Sequence, residues 1–411
     1  MFRLLLCFLI GLPTAYAHLL NQRLQMPSEV LERPHELLVY TPPSYDYDQE
    51  QRYPVLYLMD GEYNFNYVTG LIELWSNISS KHPEMIVVGI SGYDSDYYRH
   101  LMSPPWDDEG QPSGDGSADK MMKAIVKEIK PAISKQFRTN DLEILSGHSM
   151  GGLFTTYAAL IYPEAFDYYI AISPSLWWQQ QRMKTVMSDR LKSQVPEVNL
   201  YMSLANEQGM GVHGFLEMVQ AERREPLNLQ FKHFPDESHG SVGLPTYAWT
   251  LGDIFSEAQL EVRYFESTQA VDDFADQMKQ AYGQTLPVNS AYLRNSCYAH
   301  CGGDIEQLTA IDQALEKHFP HDVGFFRVLV AKQFIKQENY NQAQTWLDKA
   351  KSVAPNYIEL HHAQYLINKA QEQAIKAIQS LKKVQQLLKT QQLRQWQINE
   401  MNLPKADMLK E

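Results

Sequence analysis

The sequence predicts a doubly wound, mostly parallel α/β sheet followed by a small all-helical domain. Three observations carry that expectation. Short apolar runs without polar alternation stand at Tyr53 to Met59 and Glu84 to Ile90, and strand-like segments continue the series to Phe231, as in a parallel sheet whose strands are buried on both faces. Helical patterns separate them, notably Ala118 to Gln136 and Gly152 to Tyr162, and strands alternating with helices wind a sheet on both faces. After about Val262 the composition turns to Gln-, Ala- and Lys-rich amphipathic segments. A chain of 411 residues is long enough for two such domains, one about twice the size of the other.

The chain opens with Arg3, an apolar stretch from Leu4 to Gly11, Pro13 and Ala15-Tyr16-Ala17. This reads as a secretory signal peptide over residues 1–17, cleaved before His18. The apolar stretch is well short of the roughly 20 residues a spanning helix needs, so no membrane span is expected after processing, and the mature protein is expected to be periplasmic or secreted. Glu29 to Tyr40 suggests opening strands, stopped by Thr41-Pro42-Pro43 because proline cannot donate to a ladder. Tyr53 to Met59 is closed by Asp60-Gly61, and Glu84 to Ile90 by Ser91-Gly92. The series continues with Leu142 to Leu145, Tyr168 to Ile172, Val198 to Met202 and Leu227 to Phe231. Between Gly92 and Gly116 there is no convincing periodicity, only Pro104, Pro105, Trp106, Pro112 and several Gly and Asp. A loop this long in a compact domain is expected to form a functional rim or lid.

The boundary falls near Val262 to Glu266, dividing residues 18–262 from an all-helical domain over 263–411. Within the latter, Val330, Ala331, Phe334, Ala343, Leu347, Ala350 and Pro355 match the apolar, small and terminal-proline positions of one tetratricopeptide repeat. Asp304 to His318 and Ile358 to Leu388 would flank it, since a solenoid unit needs neighbours to cover its faces. The helical domain either binds a protein partner or braces the rest. Cys7 would be lost with the signal, leaving Cys297 and Cys301 able to pair in an oxidising compartment or to stay as free thiols. With His300 as the one imidazole beside them, no metal site is expected. No nucleotide or flavin signature is present either, and no cofactor is implied. The net charge of −13 gives no basic field for phosphate backbones or anionic lipid, which excludes nucleic acid as a partner.

The chemistry concentrates at Gly147-His148-Ser149-Met150-Gly151-Gly152. A serine hydroxyl is a weak nucleophile unless it is held exposed, beside a base, with donors aimed at the developing oxyanion. A sharp strand-to-helix turn crowds the neighbours two places away on each side, which accounts for Gly147 and Gly151 around Ser149. The chain order nucleophile, acid, histidine points to His239 in the polar turn after the last strand, ahead of His233, His213 and His148. Glu207, just past the strand ending near Met202, occupies the slot of the acid, with Asp236 as the competitor only three residues from His239. Oxyanion donors would be the backbone N–H of Met150 and one from Gly61, Glu62 or Tyr63. Arg99 could meet a substrate anion or pin the rim, and Trp106, Trp177 and Trp178 could stack on an aryl or acyl group or simply pack.

Taken together, Tyr57-Leu58-Met59-Asp60-Gly61, the Arg99 to Pro104 stretch, Phe137-Arg138-Thr139, the serine motif, Ile172-Ser173-Pro174-Ser175-Leu176-Trp177-Trp178 and Ser238-His239-Gly240-Ser241 resemble the putative-esterase family of α/β-hydrolases. The resemblance runs from about Leu31 to Phe255. The family includes enterobactin-type siderophore esterases, feruloyl esterases, S-formylglutathione hydrolases and mycolyltransferases, and the Ser-Leu-Trp-Trp segment is most similar to the siderophore-esterase-like branch. The resemblance implies a serine esterase that works through an acyl-enzyme on a small-molecule ester, with a bulky siderophore-type ester among the candidates. The alternatives are an acyltransferase with the same three residues, or a partner-binding protein whose hydrolase core is vestigial.

Overall fold

A computed structural model describes residues 21–404, apart from residues 47, 49, 80, 107–115, 194–196, 223–226, 260, 262–266, 289–303 and 392. The expected signal peptide, the boundary at Val262 to Glu266 and both Cys297 and Cys301 lie outside the described residues.

Eight strands form one sheet: β1 (Asn21–Met26), β2 (His35–Tyr40), β3 (Tyr53–Leu58), β4 (Ile86–Ser91), β5 (Thr139–His148), β6 (Tyr168–Ile172), β7 (Val198–Ala205) and β8 (Leu227–Phe234). Their order is β1-β2-β4-β3-β5-β6-β7-β8. β1 with β2 and β2 with β4 are antiparallel, and every later pair is parallel. The apolar runs of β3 and β4 are buried at every position, as strands covered on both faces must be. β1 was not legible in the sequence. It is an edge strand in which, among Gln22 to Met26, Leu24 and Met26 alone are even half-buried, so polar residues dominate its composition. The ladder after β2 stops where Pro42 and Pro43 lead into a short turn of 3₁₀ helix, Pro43–Asp46.

Helices cover both faces. On one lie α1 (Gly61–Asn77) and α8 (Gly243–Ile254), whose Phe65, Val68, Ile72, Tyr247 and Leu251 share an apolar cluster with β3 and β6. On the other lie α3 (Ala118–Ala124), α4 (Lys130–Gln136), α5 (Met150–Ile161), α6 (Trp178–Ser193) and α7 (Val212–Glu222). α3 and α4 are one predicted helix widened by a π turn at Ile125–Ile129. Pro131 follows that turn and has no N–H to give the carbonyl four residues back. The predicted rim loop is partly helical: α2 (Ser95–Met102) is capped by Asp94, which accepts the Tyr97 N–H at 3.0 Å. With only Leu101 and Met102 buried in eight residues, it has too few core positions to show a period.

Past the sheet the described residues are helical: α9 (Thr268–Tyr282), α10 (Ile305–His318), α11 (Val323–Lys336), α12 (Tyr340–Val353), α13 (Ile358–Ala370), α14 (Ala374–Leu387) and α15 (Gln395–Glu400). α9 ties this region to the sheet domain. Its Phe274 and Met278 join the cluster of Ile254 and Phe255, and Tyr282 donates to the Ile254 carbonyl at 3.0 Å. In the α11–α12 hairpin Val330, Ala331, Phe334, Ala343, Leu347 and Ala350 are all buried. Gly324 permits the close approach of α11, since a Cβ there would stand 2.7 Å from that of Ala354. Asp312 of α10 is 2 % exposed and accepts from Arg327 Nε at 2.6 Å and Lys349 Nζ at 3.1 Å. Without Asp312 the buried Arg327 keeps only Glu316, 2.9 Å from its Nη2, as an anionic partner among the described residues, so Asp312→Ala is expected to destabilise the chain by about 3 kcal/mol, read as a lower urea midpoint.

Candidate active site

β5 ends at His148 and α5 begins at Met150, so Ser149 stands alone at the turn between them, with φ 59° and ψ −112°. A non-glycine residue keeps that backbone only where its surroundings impose it. Here the Ser149 N–H donates to the Ile172 carbonyl at 2.9 Å, and its own carbonyl accepts from Leu153 N at 2.9 Å and Ser175 N at 3.0 Å. The flanking glycines are sterically required. A Cβ on Gly147 would lie 2.3 Å from the Gly151 carbonyl oxygen, and one on Gly151 would lie 2.6 Å from Asp60 Oδ2.

The ends of β7 and β8 bring the next two residues together. Glu207 Oε2 meets His239 Nδ1 at 2.6 Å, and the Asn206 N–H, donating to the Glu237 carbonyl at 2.9 Å, binds the two loops to each other. The Glu207 side chain is mostly buried, and its Oε1 is enclosed without a hydrogen-bond partner. With Nδ1 engaged, Nε2 is the nitrogen of His239 left for chemistry. The His148 ring packs against that of His239, centroids 4.5 Å apart. Burial first, and the neighbouring His239 second, push the His148 pKa down to about 4, so this ring is neutral at pH 7. Of the rival residues, Asp236, His213 and His233 are exposed; His233 lies inside β8.

Ser149 and His239 line one cavity of about 350 Å³, together with Asp60, Gly61, Glu62, Tyr63, Tyr93, Tyr98, Arg99, His148 and Met150. Such a pocket at the carboxyl ends of parallel strands is where α/β sheets bind ligands. The Ser149 hydroxyl has its hydrogen bond with Ser175 Oγ at 3.3 Å, and among the described residues none joins it directly to His239. Catalytic hydrogen bonds are often long in a free enzyme and tighten with substrate. Met150 heads α5. In the other donor segment the Tyr63 N–H is already bonded to the Asp60 carbonyl at 3.1 Å, which leaves Gly61 and Glu62 with N–H groups to offer. Arg99 is exposed at the cavity wall.

The three tryptophans expected at the rim do not line this cavity. Trp106 packs edge-on against Tyr157, 5.1 Å between centroids, and Trp178, the first residue of α6, packs partly buried against the core. Trp177 is half exposed in the segment that Gly211 approaches. Two residues escaped the sequence reading. In the sequence Asp60 reads as a turn residue, and Tyr98 falls in the stretch without periodicity. The Tyr98 hydroxyl donates to Asp60 Oδ1, and Asp60 Oδ2 accepts the His148 N–H at 2.5 Å. Enclosure among protein atoms pushes the Asp60 carboxyl up to about 6. Among the described residues no group of three or more His, Cys, Asp or Glu is arranged to hold a metal ion, and no helix is long and apolar enough to cross a membrane.

Residues 28–239, about half of the chain, match the family model described as "Putative esterase". Among characterised proteins the chain is 33% identical over 135 residues to the siderophore triacetylfusarinine C esterase of Aspergillus fumigatus, covering 30% of this chain and 45% of that one. It is 30% identical over 148 residues to the ferri-bacillibactin esterase BesA of Bacillus subtilis, covering 31% and 50%. The chain thus spans about half the length of the curated relatives it matches. Among solved structures, an IroE-like serine hydrolase from Shewanella oneidensis superposes with TM-score 0.62 at 23% identity, over 72% of this chain and 99% of that one. An uncharacterised protein from Capnocytophaga ochracea does so with TM-score 0.55 at 17% identity, over 81% and 94%. At those identities the superpositions speak to the fold.

Proposed function

The chain belongs to the putative esterase family, and from that premise we propose that it is an exported serine esterase acting through an acyl-enzyme. Ser149 attacks the ester carbonyl while His239 Nε2 takes its proton, and the Glu207 carboxylate holds the imidazolium that results. The Met150 N–H and that of Gly61 or Glu62 receive the oxyanion. His239 then gives its proton to the leaving alcohol, and a water activated by the same imidazole releases the acid. The observation that supports this reading best is the convergence of two features on one cavity: a serine at φ 59° and an imidazole held by a mostly buried glutamate at 2.6 Å.

For the substrate we favour a bulky ester of the siderophore type. The two named relatives above act on siderophores, and the cavity wall offers Tyr63, Tyr93 and the Arg99 cation, which suit aromatic and anionic groups. A fluorophosphonate probe is expected to label the full-length chain on the peptide carrying Ser149, identified by mass spectrometry. Labelling elsewhere, or none under conditions where the protein turns over a p-nitrophenyl ester, would overturn the mechanism. Cleavage of a catecholate lactone tests the substrate class, with short acyl esters as the comparison.

A further inference from the structure

Oxyanion donors that belong to two different turns need something to hold those turns in register. The last backbone bond between the β3 and β5 ends is the Met59 N–H to the Ser146 carbonyl, 2.8 Å. Beyond it the chains diverge, β3 into the turn that opens α1 and β5 into the serine elbow. Asp60 stands in that fork. Its carbonyl accepts from Tyr63 N at 3.1 Å and Asn64 N at 3.0 Å, closing the first turn of α1. Its carboxyl reaches across to the elbow, where Oδ2 accepts the His148 N–H at 2.5 Å. Oδ1 accepts from Tyr98, which adjoins Arg99 on α2. The approach is close enough that the second glycine of the elbow is needed for it, since a Cβ on Gly151 would lie 2.6 Å from Oδ2 and 2.8 Å from the Tyr98 oxygen.

We propose that Asp60 is a positioning residue, whose carboxylate sets the spacing between the β3–α1 turn and the serine elbow and hence between the two N–H groups that would hold the oxyanion. The inference rests on the serine-esterase reading above. Met150 is two residues from the bonded His148 N–H, and Gly61 and Glu62 directly follow Asp60, so one side chain governs both halves. Hydrogen bonds to an ionised acceptor are shorter and stronger than neutral ones, and oxyanion geometry is demanding: misplacement by about 1 Å can cost about 100-fold in rate. A carboxyl whose enclosure raises its pKa to about 6 is costly to keep there, and packing alone would be served as well by an apolar side chain.

The test compares Asp60→Asn, Asp60→Ala and Ser149→Ala in the full chain, with a p-nitrophenyl ester as substrate and thermal melting as the control for folding. Asn keeps an acceptor for the His148 N–H but removes the charge, so kcat is expected to fall about tenfold. Ala removes the link, and kcat is expected to fall about 100-fold or more, with KM within about threefold of wild type in both variants. Graded loss in kcat at constant KM, with the Asn variant recovering part of what Ala loses, is what a purely structural role would not produce. The inference is overturned if both Asp60 variants keep wild-type kcat, if KM rises as much as kcat falls, or if Asp60→Asn does not fold. Turnover surviving in Ser149→Ala would instead remove the reading on which it stands.

Discussion

Ester turnover is expected to fall by about 10⁴-fold or more when Ser149 is replaced by alanine, a loss of the size found when a serine nucleophile is removed from a working triad. The expectation follows from how singular the position is. Ser149 is the one residue between β5 and α5, held at φ 59° by three backbone hydrogen bonds, with the side-chain-free Gly147 and Gly151 two places away on each side. The nearest hydroxyl is that of Ser175, 3.3 Å away. Ser175 is buried and lies off the elbow, so it can polarise or orient the Ser149 hydroxyl but has no access to an ester in the cavity. The variant should keep its fold, since the backbone bonds that fix the turn use no side-chain atom of Ser149. It should also lose all fluorophosphonate labelling. Turnover within tenfold of wild type, measured with a p-nitrophenyl ester on protein of unchanged melting temperature, would show that another group attacks.

What the sequence made legible, and what it hid, follows from how local each signal is. β3, β4 and β6 were readable because strands buried on both faces leave few polar positions to blur the run, and the elbow because Gly147 and Gly151 stand at fixed places two residues either side of Ser149. Glu207 and His239 were placed by chain order, which the parallel sheet enforces by setting the ends of β7 and β8 side by side. Their 2.6 Å contact could not be read, since 32 positions separate them. β1 hid because an edge strand needs little apolar surface, and α2 because eight residues with two core positions carry no period. Asp60 hid for another reason. Asp-Gly after a strand reads as a turn wherever it occurs, and only the folded chain brings His148 and Tyr98 to its carboxyl. The tryptophans stay ambiguous in the sequence because a large aromatic in a loop serves packing and ligand contact equally well until its neighbours are known.

The second large effect is expected at Glu207. In Glu207→Gln the side chain keeps its shape, and two arrangements are open to it. If the amide oxygen faces His239 Nδ1, the amide NH₂ occupies the place of Oε1, which is buried and without a partner, and two donors are left unsatisfied there at a cost. If the NH₂ faces Nδ1 instead, it donates to the ring, the proton moves to Nε2, and the nitrogen that must take the Ser149 proton is already protonated. Either way the imidazolium loses the charge that stabilises it. The expected result is a fall in kcat of about 10³- to 10⁴-fold with little change in KM, as for the aspartate-to-asparagine change in serine proteases. Asp236→Asn provides the contrast. Its carboxylate is exposed in the turn three residues before His239, and the ring nitrogen it would have to reach is held by Glu207, so its turnover should stay within about twofold of wild type, as surface substitutions usually do. A large loss at Asp236 with activity retained in Glu207→Gln would move the acid to the other side of the imidazole, and with it the nitrogen that faces Ser149.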